Sequence, residues 1–335
     1  MDSLTQIILG AAVGEVVVGK KVGNWALFWG GVAGTIPDLD IFVSYFTDNI
    51  TALQIHRGFT HSFIFSVVFG LIFGFLVSKV HKNLIATWKE WSVLFFLGFL
   101  THALLDAHTT WGTQLFWPLA NKVAFKNIFV IDPLYTLPFL FFLLLVLFNK
   151  KGSEKRKRYN YLGLIVSSCY MVITLGLKGV SHHQFTNALL QQKVNYKEIS
   201  TRPTPLNSIL WAANVQLEDG FLLGYYSFFD TKEIQFGAKI AKNHHLLKPI
   251  SHEKKVQQLV TMTEGWYAVE ARGDRLIFKD LRFGQYDMTD AASEFVFSFE
   301  LFYAANGEFQ ATELPKGFSH GKQMMITLVN RIKGN

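Results

Sequence analysis

Long apolar runs in the N-terminal half constrain the fold of this chain more than any other feature. Residues 62–80 and 134–148 together contain only one charged side chain, that of Lys79. A soluble core does not need runs of this density, whereas about 20 apolar residues in a helix cross the hydrocarbon core of a bilayer. We therefore expect residues 1–178 to form a polytopic α-helical membrane domain.

Five apolar stretches are predicted as spans, at residues 25–46, 62–80, 91–107, 132–148 and 161–177. The stretch 4–19 is shorter and contains glycine, so a tilted span, a re-entrant segment and a buried helix all remain open. Gly30, Gly31, Gly34 and Pro37 predict that the second half of the segment 25–46 breaks or kinks.

The distribution of basic residues predicts the orientation of the chain. The densest basic run, residues 150–158, is interpreted as a solvated linker, and the positive-inside rule places it in the cytoplasm. Alternation of the spans then puts the loops 47–61 and 109–131, and the whole domain 179–335, on the outer side. We expect a multi-pass protein of the cytoplasmic (inner) membrane whose C-terminal domain is extracytoplasmic.

Charge and cysteine content bear on two other classes of protein. The formal charge of +7 comes from residues in loops beside apolar runs rather than along one amphipathic face. We therefore predict the lipid bilayer, and no nucleic acid, as a partner. Cys169 is the single cysteine, so no intramolecular disulfide can form. The sequence also lacks a Walker or dinucleotide-binding glycine loop.

Residues 179–335 have the composition of a soluble domain. Alternating apolar residues and turn signals predict two β-hairpins, at residues 209–229 and 266–283. One helix is predicted at residues 253–263 and one further strand at residues 294–304. We expect a small α+β domain with an antiparallel sheet. Its histidines lack acidic residues at ligand spacing, so we interpret them as surface or core residues: His182, His183, His244, His245 and His252.

Acidic and imidazole side chains occur at the predicted outer ends of several spans. These candidate ligands are Asp38, Asp40, His56, His61, His102 and Asp106. His102 and Asp106 are four residues apart, so a helix places them on one face. A single histidine is more often a packed or capping residue than a ligand, but six such groups on one side of a membrane indicate a site. This mixture of nitrogen and oxygen donors suits a divalent metal such as zinc.

Three motifs carry a resemblance to a known family. They are Pro37-Asp38-Leu39-Asp40, the stretch from His56-Arg57-Gly58 to Thr60-His61-Ser62, and Thr101-His102 with Asp106, followed by Thr109 or Thr110, Gly112 and Trp117-Pro118. In these motifs the chain resembles the YdjM-like family of membrane-bound proteins that are classed as metal-dependent hydrolases. The resemblance implies that the six candidate ligands bind metal and that the reaction is hydrolysis, with the number of ions left open.

The resemblance also leaves parts of the ligand set and the substrate open. Many family members carry a histidine in the N-terminal segment where this chain has Thr5-Gln6, so one ligand is in question. His108, two positions past Asp106, is a candidate substitute. The His-x-x-x-Asp pattern is more distantly similar to that of zinc-dependent phospholipases C and P1 nucleases, which implies a phosphoester substrate.

Three residues are candidates for catalysis. A carboxylate of Asp38 or Asp40 can act as a general base. Arg57 can bind a phosphate or another anion with its planar guanidinium, or it can anchor the chain to lipid headgroups.

Two functions of different classes follow from these residues. One is a metal-dependent hydrolase that acts at the outer face of the membrane on a lipid or lipid-linked phosphoester. The other is a non-enzymatic membrane protein with a structural metal site and an outer domain that binds a partner. A structural zinc is usually closed by four protein ligands, whereas a catalytic zinc keeps a water. A transporter is less favoured, because the candidate ligands cluster at one face rather than at the midplane.

Overall fold

The fold divides into two units, which we describe separately. The computed structural model describes residues 1–119, 121–288, 293–315 and 321–335. The first unit comprises Met1–Thr47, Ile55–Gly176 and Pro205–Asn207, and the second comprises Asp48–Gln54, Leu177–Thr204 and Ser208–Asn335. The domain division predicted between residues 178 and 179 stays a prediction.

The first unit is built mainly of helices, and the second unit contains helices as well as strands. Along the described chain the helices are α1 (Ser3–Val22), α2 (Asn24–Ala33), α3 (Asn49–Ile55), α4 (Phe63–Val80), α5 (Trp88–Ala107), α6 (Pro133–Leu147), α7 (Glu154–Gln191), α8 (Lys254–Thr263) and α9 (Gly321–Ile332). By length and composition, five segments of the described chain can cross a membrane: Ser3–Val22, Asn24–Tyr45, Phe63–Val80, Trp88–Ala107 and Glu154–Gln191. The predicted helical membrane domain is confirmed. The set of spans differs, because Ser3–Val22, which was left open, is long enough to cross, whereas α6, predicted as a span at residues 132–148, is a shorter apolar helix of 15 residues.

Polar side chains fix where several of these helices begin. The side chain of Asp2 accepts a hydrogen bond from the backbone of Thr5 and caps α1. Ser62 caps α4 in the same way. Thr87 and Glu90 form a capping box at the start of α5, in which each side chain bonds to the backbone of the other. These caps satisfy amide groups that the first turn of a helix leaves without partners.

Glycines allow α1 and α2 to pack at very short distance. A Cβ atom built on Gly10 would lie 2.2 Å from the carbonyl oxygen of Gly30, and one on Gly14 would lie 2.2 Å from that of Ala26. Only a residue without a side chain fits such positions. Small residues at close helix contacts are typical of membrane bundles.

The predicted break after Gly34 is present. Helix α2 ends at Ala33, and a 3₁₀ helix continues over Ile36–Tyr45, with Pro37 in its first turn. Proline suits a first turn, because the amide hydrogen that it lacks would have no intrahelical partner there. The break therefore redirects the segment that carries Asp38 and Asp40.

The basic run 150–158 is not uniformly solvated, so the interpretation as a simple linker is wrong for one residue. Arg156 is buried in the first unit, where it forms a bidentate ion pair with Glu15 of α1, with both N–O distances at 2.7 Å. It also donates to the side chain of Asn24 and to the carbonyl oxygens of Val146 and Asn149. A buried charge needs this degree of pairing to be tolerated.

The second unit contains two antiparallel sheets rather than one. The first has the order β1-β2-β3-β4 and the second has the order β5-β6-β7-β8. The strands are β1 (Glu198–Pro203), β2 (Leu210–Gln216), β3 (Gly220–Ser227), β4 (Ile240–Ala241), β5 (Tyr267–Arg272), β6 (Arg275–Gln285), β7 (Phe295–Tyr303) and β8 (Phe309–Glu313). The predicted α+β class, both hairpins, the strand β7 and the helix α8 are confirmed.

Helix α7 extends well beyond the span predicted at residues 161–177. From Leu177 onward its residues belong to the second unit, where Phe185 and Leu189 are fully buried. These side chains pack in one cluster with Trp211 of β2. The helix therefore continues past its most apolar stretch because a second core covers one of its faces.

Candidate metal centre

Four segments of the first unit meet at one end of the bundle. They are the start of α1, the junction between α2 and the 3₁₀ helix, the short segment before α4, and the last turns of α5. The last of these carries His102 and Asp106, and the segment before α4 carries His61. The start of α4 is held in place there, because the amide of Phe63 donates to the carbonyl oxygen of Leu115.

Two imidazoles and two carboxylates converge at this end. One donor atom from each of Asp38, His61, His102 and Asp106 lies within 4.8 Å of the other three. The two Nε2 atoms of the histidines are 3.1 Å apart. The Oδ1 atom of Asp38 lies 3.3 Å from Nε2 of His61 and 3.4 Å from Nε2 of His102. The Oδ2 atom of Asp106 lies 3.4 Å and 3.8 Å from the same two nitrogens.

The outer nitrogen of each imidazole already has a partner, which sets the tautomer. Nδ1 of His102 lies 2.8 Å from the carbonyl oxygen of Gly34, so it must carry the hydrogen and donate. Nδ1 of His61 lies 3.0 Å from the hydroxyl of Thr60, which itself donates to Asp40. In their neutral forms, both histidines therefore point an unprotonated Nε2 at the cluster.

The cluster gathers four electron-rich atoms and so fits a cation. Oδ2 of Asp106 is buried and accepts no hydrogen bond. Burial acts to lower the pKa of His61, yet the neighbouring carboxylates of Asp106 and Asp38 outweigh it, and the pKa of this imidazole is raised above its ordinary value. Nitrogen and oxygen donors in this ratio suit a divalent metal ion. The buried Asp, His, His and Asp side chains can thus hold a metal ion.

Access to the cluster differs sharply among its members. The side chains of His61, His102 and Asp106 are completely buried, whereas that of Asp38 is 23 % exposed. Asp38 is therefore the one member of the cluster that is accessible.

A second polar group lies beside the cluster and is centred on Asp40. Its Oδ1 atom lies 2.7 Å from Nδ1 of His56. Its Oδ2 atom accepts hydrogen bonds from the backbone amide of Arg57 at 3.0 Å and from the hydroxyl of Thr60 at 2.9 Å. Through the hydroxyl of Thr60, which lies beside Nδ1 of His61, this carboxylate also helps to hold that imidazole in place. Such outer partners orient metal-binding imidazoles.

Arg57 joins the two groups and has an unusual backbone conformation. Its φ angle is +61°, a left-handed value that is uncommon for a residue other than glycine. Its guanidinium lies in the interior, with Nε 2.9 Å from Oδ2 of Asp106 and Nη1 donating to the hydroxyl of Thr109. The predicted binding of an anion by Arg57 stays a prediction, and in this structure its nearest anion is Asp106.

Sequence reasoning missed the groups that surround the other oxygen of Asp106. Gln6 donates to Oδ1 of Asp106 at 2.9 Å and to the carbonyl oxygen of His102, and the amino group of Met1 also contacts Oδ1. Gln6 is fully buried. The resemblance had pointed to Thr5-Gln6 as a place where a ligand was in question, but it did not indicate that Gln6 bonds to Asp106.

His108 and His244 have other partners. Nδ1 of His108 lies 2.8 Å from Oδ1 of Asn127, and its ring packs on that of Phe125 at 4.8 Å, so it does not replace a ligand. Burial lowers its pKa. His244 stacks on Tyr267 in the second unit. Among the described residues, the four-membered cluster is the one group of acids and imidazoles with metal-binding spacing.

Four of the six predicted ligands thus meet at one point, namely Asp38, His61, His102 and Asp106. The other two, Asp40 and His56, pair with each other next to that point. Metal ligation by Asp40 and His56 stays a prediction, as do the catalytic roles assigned to Asp38, Asp40 and Arg57.

Comparison with known families agrees with the motifs. The family model described as YdjM inner membrane protein matches residues 1–184, which include every residue of the cluster. Comparison with curated proteins gave no match, and comparison with solved structures gave none either. The resemblance inferred from the three motifs is confirmed, and since the match covers more than half of the 335 residues, the chain belongs to the YdjM family of inner membrane proteins.

Proposed function

We propose that this protein is a metal-dependent hydrolase that acts at the outer face of the inner membrane on a lipid or lipid-linked phosphoester. The observation that carries the proposal is the convergence of two imidazole Nε2 atoms and two carboxylate oxygens within 4.8 Å. A divalent cation between these donors would offset the repulsion of the two carboxylates, and both imidazole Nε2 atoms can coordinate it in their neutral forms.

The residues that would hold the metal are Asp38, His61, His102 and Asp106. A bound divalent ion lowers the pKa of a coordinated water toward neutrality and polarises a phosphoryl oxygen. Arg57 supports this arrangement by pairing its guanidinium with Oδ2 of Asp106, which helps to fix the position of that carboxylate. Thr60 and Gly34 hold the two imidazoles in the required tautomers.

We assign proton transfer to His56 rather than to Asp40. Both oxygens of Asp40 already accept hydrogen bonds, so this carboxylate is suited to orient a neighbour. When Nδ1 of His56 donates to Asp40, its Nε2 can accept a proton from a nucleophile. The side chain of His56 is 27 % exposed, so it can be reached by a substrate that approaches past Asp38.

One observation favours a second candidate, a structural metal. Four protein donors can close a tetrahedral site, and three of the four residues here are fully buried. In that case the metal would tie α5 to the segments that carry Asp38 and His61, and the protein would lack hydrolytic activity.

Metal content and lipid hydrolysis of the purified protein test the proposal together. We expect bound divalent metal in the wild type and its loss in His61→Ala, His102→Ala and Asp106→Ala. His252→Ala is the matched control, because this histidine is exposed and lies outside the cluster. Release of phosphate or a phosphorylated headgroup from a lipid panel, abolished by chelation, would support hydrolysis. Metal without release from any lipid would favour the structural role, and unchanged metal in all three variants would refute the site.

A further inference from the structure

The 3₁₀ helix Ile36–Tyr45 carries one apolar stripe beside the opening of the cluster. A 3₁₀ helix has three residues per turn, so residues at i, i+3 and i+6 lie in line. Leu39, Phe42 and Tyr45 have this spacing and are 47 %, 51 % and 79 % exposed; Ile41, three residues after Asp38 on the neighbouring row, is 62 % exposed as well. We call Leu39, Phe42 and Tyr45 the apolar stripe.

The opposite side of the same helix faces the protein. Pro37 and Asp40, also three residues apart, are buried, and Asp40 is held by His56 and Arg57. Asp38, the one accessible member of the cluster, lies between Pro37 and Leu39 in the chain. A single short helix therefore presents a carboxylate of the candidate metal site and an exposed apolar surface side by side.

The bilayer explains this exposure better than water does. The rings of Phe42 and Tyr45 stack with their centroids 6.0 Å apart, and Phe46 at the end of the helix is 87 % exposed. The helix lies within the apolar segment Asn24–Tyr45, which is long enough to cross a membrane. Aromatic side chains at a span end are typical of the membrane interface. A contiguous exposed apolar surface marks a place of interaction.

We infer that the apolar stripe receives one acyl chain of a membrane lipid, so that the headgroup of that lipid reaches Asp38 from the side of the bilayer. The inference deepens the proposed function and rests on it, since it names a bilayer-resident lipid as the substrate class. An amphiphile fits both halves of the helix surface, because its polar group meets the carboxylate and its chain covers Leu39, Phe42 and Tyr45.

Photo-crosslinking in vesicles of phosphatidylethanolamine and phosphatidylglycerol tests this inference on the full chain. One probe is phosphatidylethanolamine with a diazirine on its headgroup, and the other carries the diazirine at the end of an acyl chain. We expect the headgroup probe to label peptides that contain residues 38–56 and the acyl probe to label residues 39–46. Labelling of the exposed α4 residues Leu71 and Phe75 by the acyl probe reports ordinary surrounding lipid.

A double variant tests whether the apolar stripe positions the lipid headgroup near Asp38, as distinct from general contact with lipid. In Phe42→Ser/Tyr45→Ser, we expect headgroup labelling of residues 38–56 to fall about tenfold, because two aromatic contacts with the acyl chain are lost. Leu71→Ser/Phe75→Ser is the matched control, with similarly exposed apolar residues on α4, and should leave that labelling unchanged.

The possible outcomes distinguish this inference from the proposed function. Wild-type labelling of residues 38–56 that survives in Phe42→Ser/Tyr45→Ser would overturn the inference, as would labelling confined to α4. Metal content, measured on the same samples, reports on the candidate site alone. Absence of bound metal from the wild type would refute the proposed function. The ratio of headgroup labelling in Phe42→Ser/Tyr45→Ser to that in the wild type would still decide whether the apolar stripe positions a lipid.

Discussion

At the scale of single residues, the structure gives different partners to two aspartates that the sequence analysis treated alike. Asp38 and Asp40 both lie near the break after Gly34, and both were predicted as ligands or bases. The 3₁₀ geometry turns Asp38 toward His61 and His102 but turns Asp40 toward His56 and Arg57. A change of helix type alters the angle per residue, and the sequence does not specify that type.

The first prediction concerns His56. We expect His56→Gln to retain metal, because this residue lies outside the four-membered cluster, and to lower the rate of hydrolysis by about 10² to 10⁴, the usual effect of losing a general base. Asp40→Asn should weaken metal binding by about 10- to 100-fold, because it removes an acceptor that supports His56 and Thr60. Metal analysis and turnover on the active lipid measure both effects. Full turnover in His56→Gln would exclude proton transfer by this histidine.

The second prediction concerns the pH dependence of the second unit. His244 stacks on Tyr267 with ring centroids 3.9 Å apart and lies 2.8 Å from its carbonyl oxygen through Nε2. Burial, assisted by the nearby charge of Lys242, lowers the pKa of His244, so the folded state binds this proton less readily than the unfolded state does. Stability should therefore be complete above the ordinary histidine pKa of about 6.5 and fall as the pH drops below it.

Hydrogen exchange of the full chain measures this effect locally. Protection of the amides in β5, corrected for intrinsic exchange, should decrease between pH 7 and pH 5, and the decrease should be smaller in His244→Gln. His252→Gln is the control, because His252 is exposed. Equal pH dependence in the wild type and His244→Gln would show that another group is responsible.

At the scale of secondary structure elements, hydropathy and turn signals predicted most of what is present. Predicted boundaries of α4 and α5 differ from the structure by at most three residues, because uninterrupted apolar runs and polar caps mark both ends. The C-terminal half of α7 was missed because its burial depends on Trp211, a residue distant in sequence. The burial of Arg156 was missed for the same reason, since its partner Glu15 lies in another helix.

The third prediction concerns this buried ion pair. Glu15→Gln and Arg156→Met should each destabilise the protein in detergent by about 3 to 5 kcal/mol, because each leaves a buried charge without its partner. Lys157→Met is the matched control, because Lys157 belongs to the same basic run but is exposed. Thermal unfolding with a double-mutant cycle measures the coupling. The double variant Glu15→Gln/Arg156→Met should lose less than the sum of the single variants, and strict additivity would argue against the pair.

At the scale of the whole molecule, the sequence predicted a helical membrane part and an α+β part, and both are present. It did not predict that the strands form two sheets, because alternation of residues within a strand does not reveal which strands are neighbours. The match to the YdjM family ends at residue 184, so the family gives little guidance to the second unit.

The fourth prediction concerns topology. The positive-inside rule predicts that the basic run 150–158, which covers the end of the α6–α7 loop and the start of α7, lies in the cytoplasm, and we expect the second unit on the opposite side. In a Cys169→Ser background, Lys155→Cys and Lys248→Cys should react with a membrane-impermeant thiol reagent from opposite sides of sealed vesicles. Both positions are exposed, and Cys169 is replaced because it is exposed as well. Reaction of both variants from the same side would reverse the orientation of the second unit and remove the support for action at the outer face.

Helix α1 contacts both the candidate metal centre and Arg156 of the buried ion pair, and this limits the changes in length that the helix can accept. Gln6 contacts Asp106 at one end, and Glu15 pairs with Arg156 nearer the other. An α-helix turns by about 100° per residue, so inserting or deleting one residue between them would rotate one contact away from its partner. The same shift would replace a glycine at the contact with α2. Between residues 6 and 15, this helix should therefore accept conservative replacements at positions other than Gln6, Gly10, Gly14 and Glu15, but neither insertions nor deletions.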